Sequence, residues 1–251
     1  KEDTDSFEDA SDLLRVDAVL ESTLESVDGA SLRFGSGSPC TWGETFGPCV
    51  SVSSGSSGFP DTTVLTFNPS CTGFGGIVRG GRLVIVLTDS LTATGATRSI
   101  LFEDFSVDGI TLNGSIVLTH TGLDALGRPA YSRITALSWS NGSSTLNRSF
   151  SGTLTWVSGW DTPDCLDNVF ELAGSGSLSA DWGSITQIIL EPLRIDRPCG
   201  YITAGSVEWY GPRGNRVLDY GDGACDDEAA LTLPSGAIWT VDLDLLRFRR
   251  R

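Results

Sequence analysis

Apolar and polar residues alternate along this chain in short runs, and five of those runs open on a glycine. They are Gly81-Arg-Leu-Val-Ile-Val, Gly114-Ser-Ile-Val-Leu, Gly152-Thr-Leu-Thr-Trp, Gly176-Ser-Leu-Ser-Ala and Gly205-Ser-Val-Glu-Trp. Period-two alternation is the mark of a half-buried strand, because successive side chains point to opposite faces. A glycine at the head of a strand suits a turn, a bulge or a close backbone crossing. The spacing predicts strands near 81–90, 97–107, 110–120, 130–140, 145–157, 168–180, 184–195, 201–210, 215–220, 228–233 and 236–244. An earlier hairpin runs from Val50-Ser-Val to Thr63-Val-Leu-Thr-Phe67, with Ser51–Pro60 as its flexible tip. Asp108-Gly109 and Asn141-Gly142 read as two-residue hairpin turns, whose central residues need positive φ. Asn113-Gly114 follows the first so closely that it reads as a bulge or kink. Short connections favour antiparallel neighbours, and no helix-length insert separates the strands. The fold class is therefore all-β. We expect an antiparallel meander of about 11–13 strands that forms a sandwich or a strongly curved open sheet.

Residues 1–30 depart from this pattern. They are acidic, and Leu13, Leu14, Val16, Val19, Leu20 and Leu24 recur at helical spacing. They predict either a short amphipathic helix packed on the β domain or an extended linker. The organisation read from sequence is an acidic segment 1–30, a β domain 31–246 and a basic tail 247–251, Arg-Phe-Arg-Arg-Arg. The first residues lack the apolar region of a signal peptide, and a start at Lys1 fits a processed or trimmed chain.

A formal charge of −15 argues against a nucleic-acid partner, which requires a basic face for phosphates. No apolar run approaches the roughly 20 residues of a membrane-spanning helix. The six cysteines lack C-x-x-C spacing, and a single histidine, His120, leaves a structural zinc site short of ligands. Disulfides, and hence an oxidising compartment, are the better reading, buried thiols the other. Cys49 and Cys71 bracket one hairpin, Cys199 and Cys225 another, and Cys40 is left for Cys165.

Catalytic signals are weak. No Gly-x-Ser-x-Gly elbow accompanies His120, which reads as a strand-end or loop residue. Glu103, Asp104, Glu171, Glu191 and Glu208 fall on separate strands, with nothing to pair them across a cleft as glycoside hydrolysis requires. Asp219, Asp222, Asp226 and Asp227, beside Glu228, form an acidic turn. Such a turn offers hard oxygen ligands to calcium but lacks the EF-hand spacing, so the competing reading is carboxylates bonded to turn amides. No other cofactor is expected. Trp139, Trp156, Trp209 and Trp239 lie in alternating runs and read as core. Trp42, Trp160 and Trp182 lie near loops and are candidates for stacking on sugars. Three Asn-x-Ser sequons begin at Asn113, Asn141 and Asn147, a frequency that a Ser-rich chain produces by chance.

Three segments carry a resemblance. Phe102-Glu-Asp-Phe-Ser-Val-Asp-Gly-Ile-Thr-Leu-Asn-Gly-Ser115, Phe59-Pro through Ser70-Cys-Thr-Gly73, and Tyr220-Gly-Asp-Gly-Ala-Cys-Asp226 are similar to motifs of an uncharacterised family of bacterial cell-envelope lipoproteins and secreted β proteins. The likeness spans roughly 45–245 and implies an exported β protein with no assigned activity. Two readings of function follow. One is a non-enzymatic structural or adhesive protein, extracellular or at the cell surface, whose partners are other copies or cell-envelope proteins. The other is a secreted glycan-binding module, with or without calcium.

Overall fold

A computed structural model describes residues 14, 17, 19–24, 26–28, 46–55, 58–73, 76–162, 164, 167–180 and 183–243. The strands are β1 (Val50–Ser54), β2 (Asp61–Phe67), β3 (Arg79–Leu87), β4 (Thr97–Val107), β5 (Ile110–Leu123), β6 (Pro129–Ser140), β7 (Thr145–Ser158), β8 (Val169–Ala180), β9 (Gly183–Asp196), β10 (Tyr201–Tyr210), β11 (Arg216–Asp222), β12 (Glu228–Thr232) and β13 (Ile238–Asp242). They form one 13-stranded antiparallel sheet in sequence order, with β1 and β13 at its two ends and no pairing between them. Every strand expected from the alternation is present. The hairpin tip is shorter than expected, since β1 takes in residues 51–54.

The five glycine heads have a common cause. A Cβ at Gly81, Gly114, Gly152, Gly176 or Gly205 would lie only 1.9–2.3 Å from a backbone oxygen of the neighbouring strand. Gly114 illustrates the point. It has φ 115° and faces Phe102, while Phe105 faces Leu112, so two residues of β4 bulge opposite Asn113. The Asn113 Oδ1 accepts from the Asp104 amide at 2.8 Å, and its Nδ2 donates to Asp104 Oδ1 at 3.1 Å. This is the bulge that Asn113-Gly114 suggested. Asp108 and Gly109 both have positive φ, as expected of the two-residue turn. Asn141-Gly142 differs. Only Gly142 has positive φ, and the connection from β6 to β7 is the four residues 141–144, because Asn141 Oδ1 accepts from the Ser143 and Ser144 amides and opens the turn.

A helix, α1, covers the inner face of the sheet, with its described residues between 14 and 28. Residues 1–30 are thus represented by a packed helix where the structure describes them. Val19, Leu20, Leu24 and Val27 join a cluster with inner residues of β2–β6 that include Leu65, Leu83, Ile100, Phe102 and Trp139. Leu14 joins a second cluster with residues of β5–β13, among them Trp156, Trp209, Leu218 and Leu231. These five α1 side chains are at most 5% exposed, and burying each contributes about 1.5–3 kcal/mol. A flat sheet would set β11 about 19 Å from β7. Yet Leu14 shares a cluster with β11, and Asp17, which pairs with β7, also acts on the Tyr220 phenol of β11. The sheet therefore curls around α1 as a strongly curved, open meander.

Two residues depart from expectation. His120 lies inside β5 and is buried, its ring 5.0 Å from that of Tyr131, so it is neither a strand-end nor a loop residue. The strand runs three residues past it because the register shift at His120/Gly122 lets the pairing with β6 continue. Trp239 is 38% exposed, unlike the buried Trp139, Trp156 and Trp209. It lies opposite Leu231 on β13, and among the described residues no strand pairs with the other side of β13.

Cys49–Cys71 and Cys199–Cys225 are disulfides, each with Cα atoms 5.6 Å apart, as their bracketing of hairpins implied. Cys40 and Cys165 lie outside the described residues. Non-reducing peptide mapping should recover both pairs, and each closure contributes on the order of 3 kcal/mol in the chain-entropy account. Free thiols at these four positions would contradict the structure. The strand-crossing argument makes a second prediction. Gly114→Ala should lower stability by more than 3 kcal/mol in urea unfolding, since strain and clash add. Gly142→Ala, with nothing within 4 Å of the added Cβ, should cost only about 1–2 kcal/mol. Equal losses would refute the crossing as the cause.

Candidate functional site

The inner face of the sheet is not wholly apolar. Arg98 on β4, Arg133 on β6 and Arg148 on β7 point inward, and Arg197 follows β9. Their side chains are only 2–9% exposed. Burying an unpaired guanidinium costs several kcal/mol, so each position requires an anion. Helix α1 supplies it. Asp28 Oδ1 accepts from Arg98 Nη2 at 2.6 Å, and Asp28 Oδ2 accepts from Arg197 Nη2 at 3.0 Å. Glu21 lies 3.5 Å from Arg133 and 3.9 Å from Arg197. Asp17 pairs with Arg148, which also donates to Gln187 Oε1 at 3.1 Å.

The spacing along α1 explains the match. Asp17, Glu21 and Asp28 are four and seven residues apart, which places all three on one helical face. On the sheet, Arg98, Leu118 and Arg133 form one cross-strand row over β4, β5 and β6. The two guanidinium-bearing residues are thus two strands apart, about 9.6 Å. Seven helical residues rise about 10.5 Å. Glu21 over Arg133 therefore places Asp28 over Arg98.

Glycines shape the rest of the wall. Arg133 faces Gly152, which faces Gly174. A Cβ at either glycine would meet the Phe150 ring at 2.9 Å, so the ring lies flat across both. The Arg133 and Arg148 guanidiniums sit 5.9 Å from its centroid, and Arg197 is the same distance from Phe170. Such cation–aromatic contacts contribute about 0.5–2 kcal/mol each. A residual cavity of about 10 Å³ remains between Glu21, Asp28, Arg98, Arg133 and Arg197 above Leu154 and Phe170, room for about one water molecule.

The electrostatics are uneven. Burial pulls the Arg133 pKa down, with Glu21 opposing. Desolvation holds the Asp17 carboxyl above its ordinary 3.8, despite the opposing pull of Arg148. Burial pushes the Tyr131 phenol up to about 12 and the Tyr220 phenol further still.

Sequence reasoning missed this groove. Its signal was phase. Arg133 falls in step with Tyr131, Leu137 and Trp139, Arg98 with Ile100 and Phe102, and Arg148 with Phe150 and Leu154. The residues that sequence singled out lie elsewhere. Asp219, Asp222 and Asp226 border an open hollow of about 270 Å³ with Tyr220, Glu228 and Thr240. Asp219 Oδ1 accepts from the Gly221 amide at 2.8 Å and Asp226 Oδ1 from the Glu228 amide at 3.3 Å, which is turn-amide bonding. The Asp227 carbonyl accepts from the Leu243 amide. Among the described residues no three His, Cys, Asp or Glu side chains converge to hold a metal. Trp160 is partly buried against the core, and Trp42 and Trp182 lie outside the described residues. Glu103 pairs with Arg82, Glu171 with Arg128, and Glu208 accepts from Tyr210. No protein-family model, curated protein or solved structure matches the chain.

The groove predicts different outcomes for its two end carboxylates. Asp28→Ala leaves Arg98 and Arg197 without their shared anion and should cost about 3–5 kcal/mol. Asp17→Asn should cost less than Asp28→Ala at pH 7, because burial already disfavours the Asp17 charge, one guanidinium depends on it where two depend on Asp28, and Gln187 still accepts from Arg148. The sign follows from linkage. A raised folded-state pKa means the folded chain binds the Asp17 proton more readily, so the contribution of this group falls as pH rises from 3.8 through the raised value, then stays flat. Urea unfolding of both variants at pH 7 and pH 4 checks this. A larger loss for Asp17→Asn would reverse the assignment.

Proposed function

We propose that this chain is a non-enzymatic structural or adhesive protein, exported to the cell surface or the extracellular space, whose copies associate through the edges of the sheet. The observation that carries this reading is the pair of terminal strands. Among the described residues β1 and β13 each pair on one side only. A single-sided strand offers a row of amides and carbonyls to another chain. Ile238 and Trp239 on β13 are 70% and 38% exposed, and Val52 on β1 is 45% exposed. Neither edge carries the lysines that blunt such strands in monomers. Two disulfides fit an oxidising compartment. Among the described residues no helix is long and apolar enough to cross a membrane. The resemblance to secreted envelope β proteins points the same way.

The strand count adds geometry. Thirteen antiparallel strands leave β1 and β13 running in the same direction. Head-to-tail addition would make a parallel pair, whereas antiparallel pairing joins like edges about a two-fold axis, β1 to β1 and β13 to β13. Alternating the two contacts extends a sheet without limit.

A glycan-binding role, with calcium at the Asp219–Asp226 turn, is the second reading. The open hollow at β11–β12 favours it, and glycan-array binding abolished by EDTA would put it ahead.

Sedimentation velocity tests the edge proposal. Full-length protein should form species larger than dimers at high concentration. Ile238→Lys with Trp239→Lys should stop growth at a dimer joined through β1, and adding Val52→Lys should leave monomers with unchanged far-ultraviolet circular dichroism. Unmodified protein that stays monomeric at millimolar concentration, or triple-variant protein that still assembles, overturns it.

A further inference from the structure

We propose that Asn141 is a self-modification site: the β6–β7 turn directs it, without an enzyme, to a succinimide that water opens to isoaspartate or aspartate. The chain holds two Asn-Gly pairs, Asn113-Gly114 and Asn141-Gly142, and the fold sets them oppositely. In such a pair the glycine nitrogen can attack the side-chain amide carbon of the asparagine, because no Cβ shields that nitrogen.

Three observations single out Asn141. Residues 141–144 are all exposed, and nothing lies within 4 Å of the position a Cβ would take at Gly142. The Ser143 amide donates to Asn141 Oδ1 at 3.0 Å and closes a ring that contains both Asn141 Cγ and the Gly142 nitrogen. The two atoms of the new bond therefore share one turn. Attack drives negative charge onto Oδ1, where four donors already stand. They are the Ser143 amide and hydroxyl at 3.0 and 2.8 Å and the Ser144 amide and hydroxyl at 3.0 and 3.4 Å. Donors held where charge develops lower the barrier. The Gly142 N–H itself donates to Ser140 Oγ at 3.1 Å, which gives its proton a first acceptor on the way to solvent hydroxide.

Asn113 has the same neighbour and the opposite setting. Its Nδ2, the leaving group, donates to Asp104 Oδ1 at 3.1 Å, and its Oδ1 accepts from the Asp104 amide at 2.8 Å. Gly114 is paired on both sides, with Phe102 and Leu137. A Cβ placed there would lie 2.2 Å from the Ala136 oxygen. Closing a succinimide would turn this backbone out of the sheet, so the bulge protects Asn113.

The reaction balances with water alone. The Gly142 nitrogen gives its proton to solvent and bonds to Asn141 Cγ. The Cγ–Nδ2 bond breaks, and ammonia leaves with a proton returned by solvent. Water then adds to the Asn141 main-chain carbonyl, giving isoaspartate with the chain routed through Cγ, or to Cγ, giving aspartate. Nothing is oxidised or reduced. Either product places a new negative charge on the turn. The β6–β7 turn lies mid-sheet, away from β1 and β13, so conversion leaves the edges as they are.

Full-length protein is incubated at pH 8 and 37 °C, either folded or unfolded in guanidinium chloride, and peptide mapping by mass spectrometry follows each Asn-Gly pair. An isoaspartate-specific methyltransferase reports the product. Folded protein should convert Asn141 at least as fast as unfolded protein does, and Asn113 at least ten-fold more slowly. Ser143→Ala should slow Asn141 about three-fold in folded protein and leave the unfolded rate unchanged. That is far less than the roughly 10²–10³ of a water-excluded site, because this turn is exposed. A folded rate at Asn141 below the unfolded rate, or equal to that of Asn113, overturns the proposal. So does a folded rate that Ser143→Ala leaves unchanged. Aspartate formed without isoaspartate would assign direct hydrolysis and overturn the succinimide.

Discussion

Guanidinium groups on the inner face of a one-sheet protein impose the constraint from which the rest of this structure follows. Arg98, Arg133, Arg148 and Arg197 cannot face one another across a dry interior without anions between them. Helix α1 meets that demand with Asp17, Glu21 and Asp28 while covering the neighbouring apolar side chains with Leu14, Val19, Leu20, Leu24 and Val27. A long meander has no second sheet to pack against, so it curls until its inner residues reach the helix. The clusters on the two halves of the sheet both include α1 residues, and the helix is the shared strut between them.

The ion pairs have a different role from the apolar contacts. Apolar burial supplies most of the attraction between α1 and the sheet, but it tolerates small rotations and slips along the groove. A carboxylate between two guanidiniums does not. Asp28 bridges β4 and the residue after β9, so a shift of one helical residue would remove it from both. Buried pairs of this kind add little net stability compared with well-packed apolar residues. Their effect here is to fix the rotation and register of the helix, and through it the curvature of the sheet.

Much of the fold was legible because its rule is local. Alternation, glycine position and turn dipeptides each act over a few residues, and they placed the strands, the Asn113-Gly114 bulge and the two disulfide-closed hairpins. The miss at Asn141-Gly142 came from a side chain: Asn141 Oδ1 captures two later amides and lengthens the turn. The exposure of Trp239 was hidden because alternation gives the face of a residue, not whether its strand is the last in the sheet. The groove was the least legible feature. Its residues come from α1, β4, β6, β7 and the turn after β9, and only the curl brings them together. Arg98, Arg133 and Arg148 did leave a trace, each in phase with the core residues of its strand, where a charge has no place without a buried partner. The carboxylates of the Asp219–Asp227 turn stand out more because they are close in sequence, yet two of them, Asp219 and Asp226, bond to turn amides.

The most direct measurement of this account is a double-mutant cycle at Asp28 and Arg98, using Asp28→Ala, Arg98→Met and the double variant in urea unfolding at pH 7. If the buried pair holds the helix in register, each single substitution leaves an uncompensated charge or an orphaned acceptor network, and the double variant relieves it. The account predicts a coupling energy of about 2 kcal/mol or more, with the double variant no less stable than Asp28→Ala alone. Single effects that add to within about 0.5 kcal/mol would show that α1 and the sheet are held by apolar packing alone, and would contradict the central role given to the arginine wall.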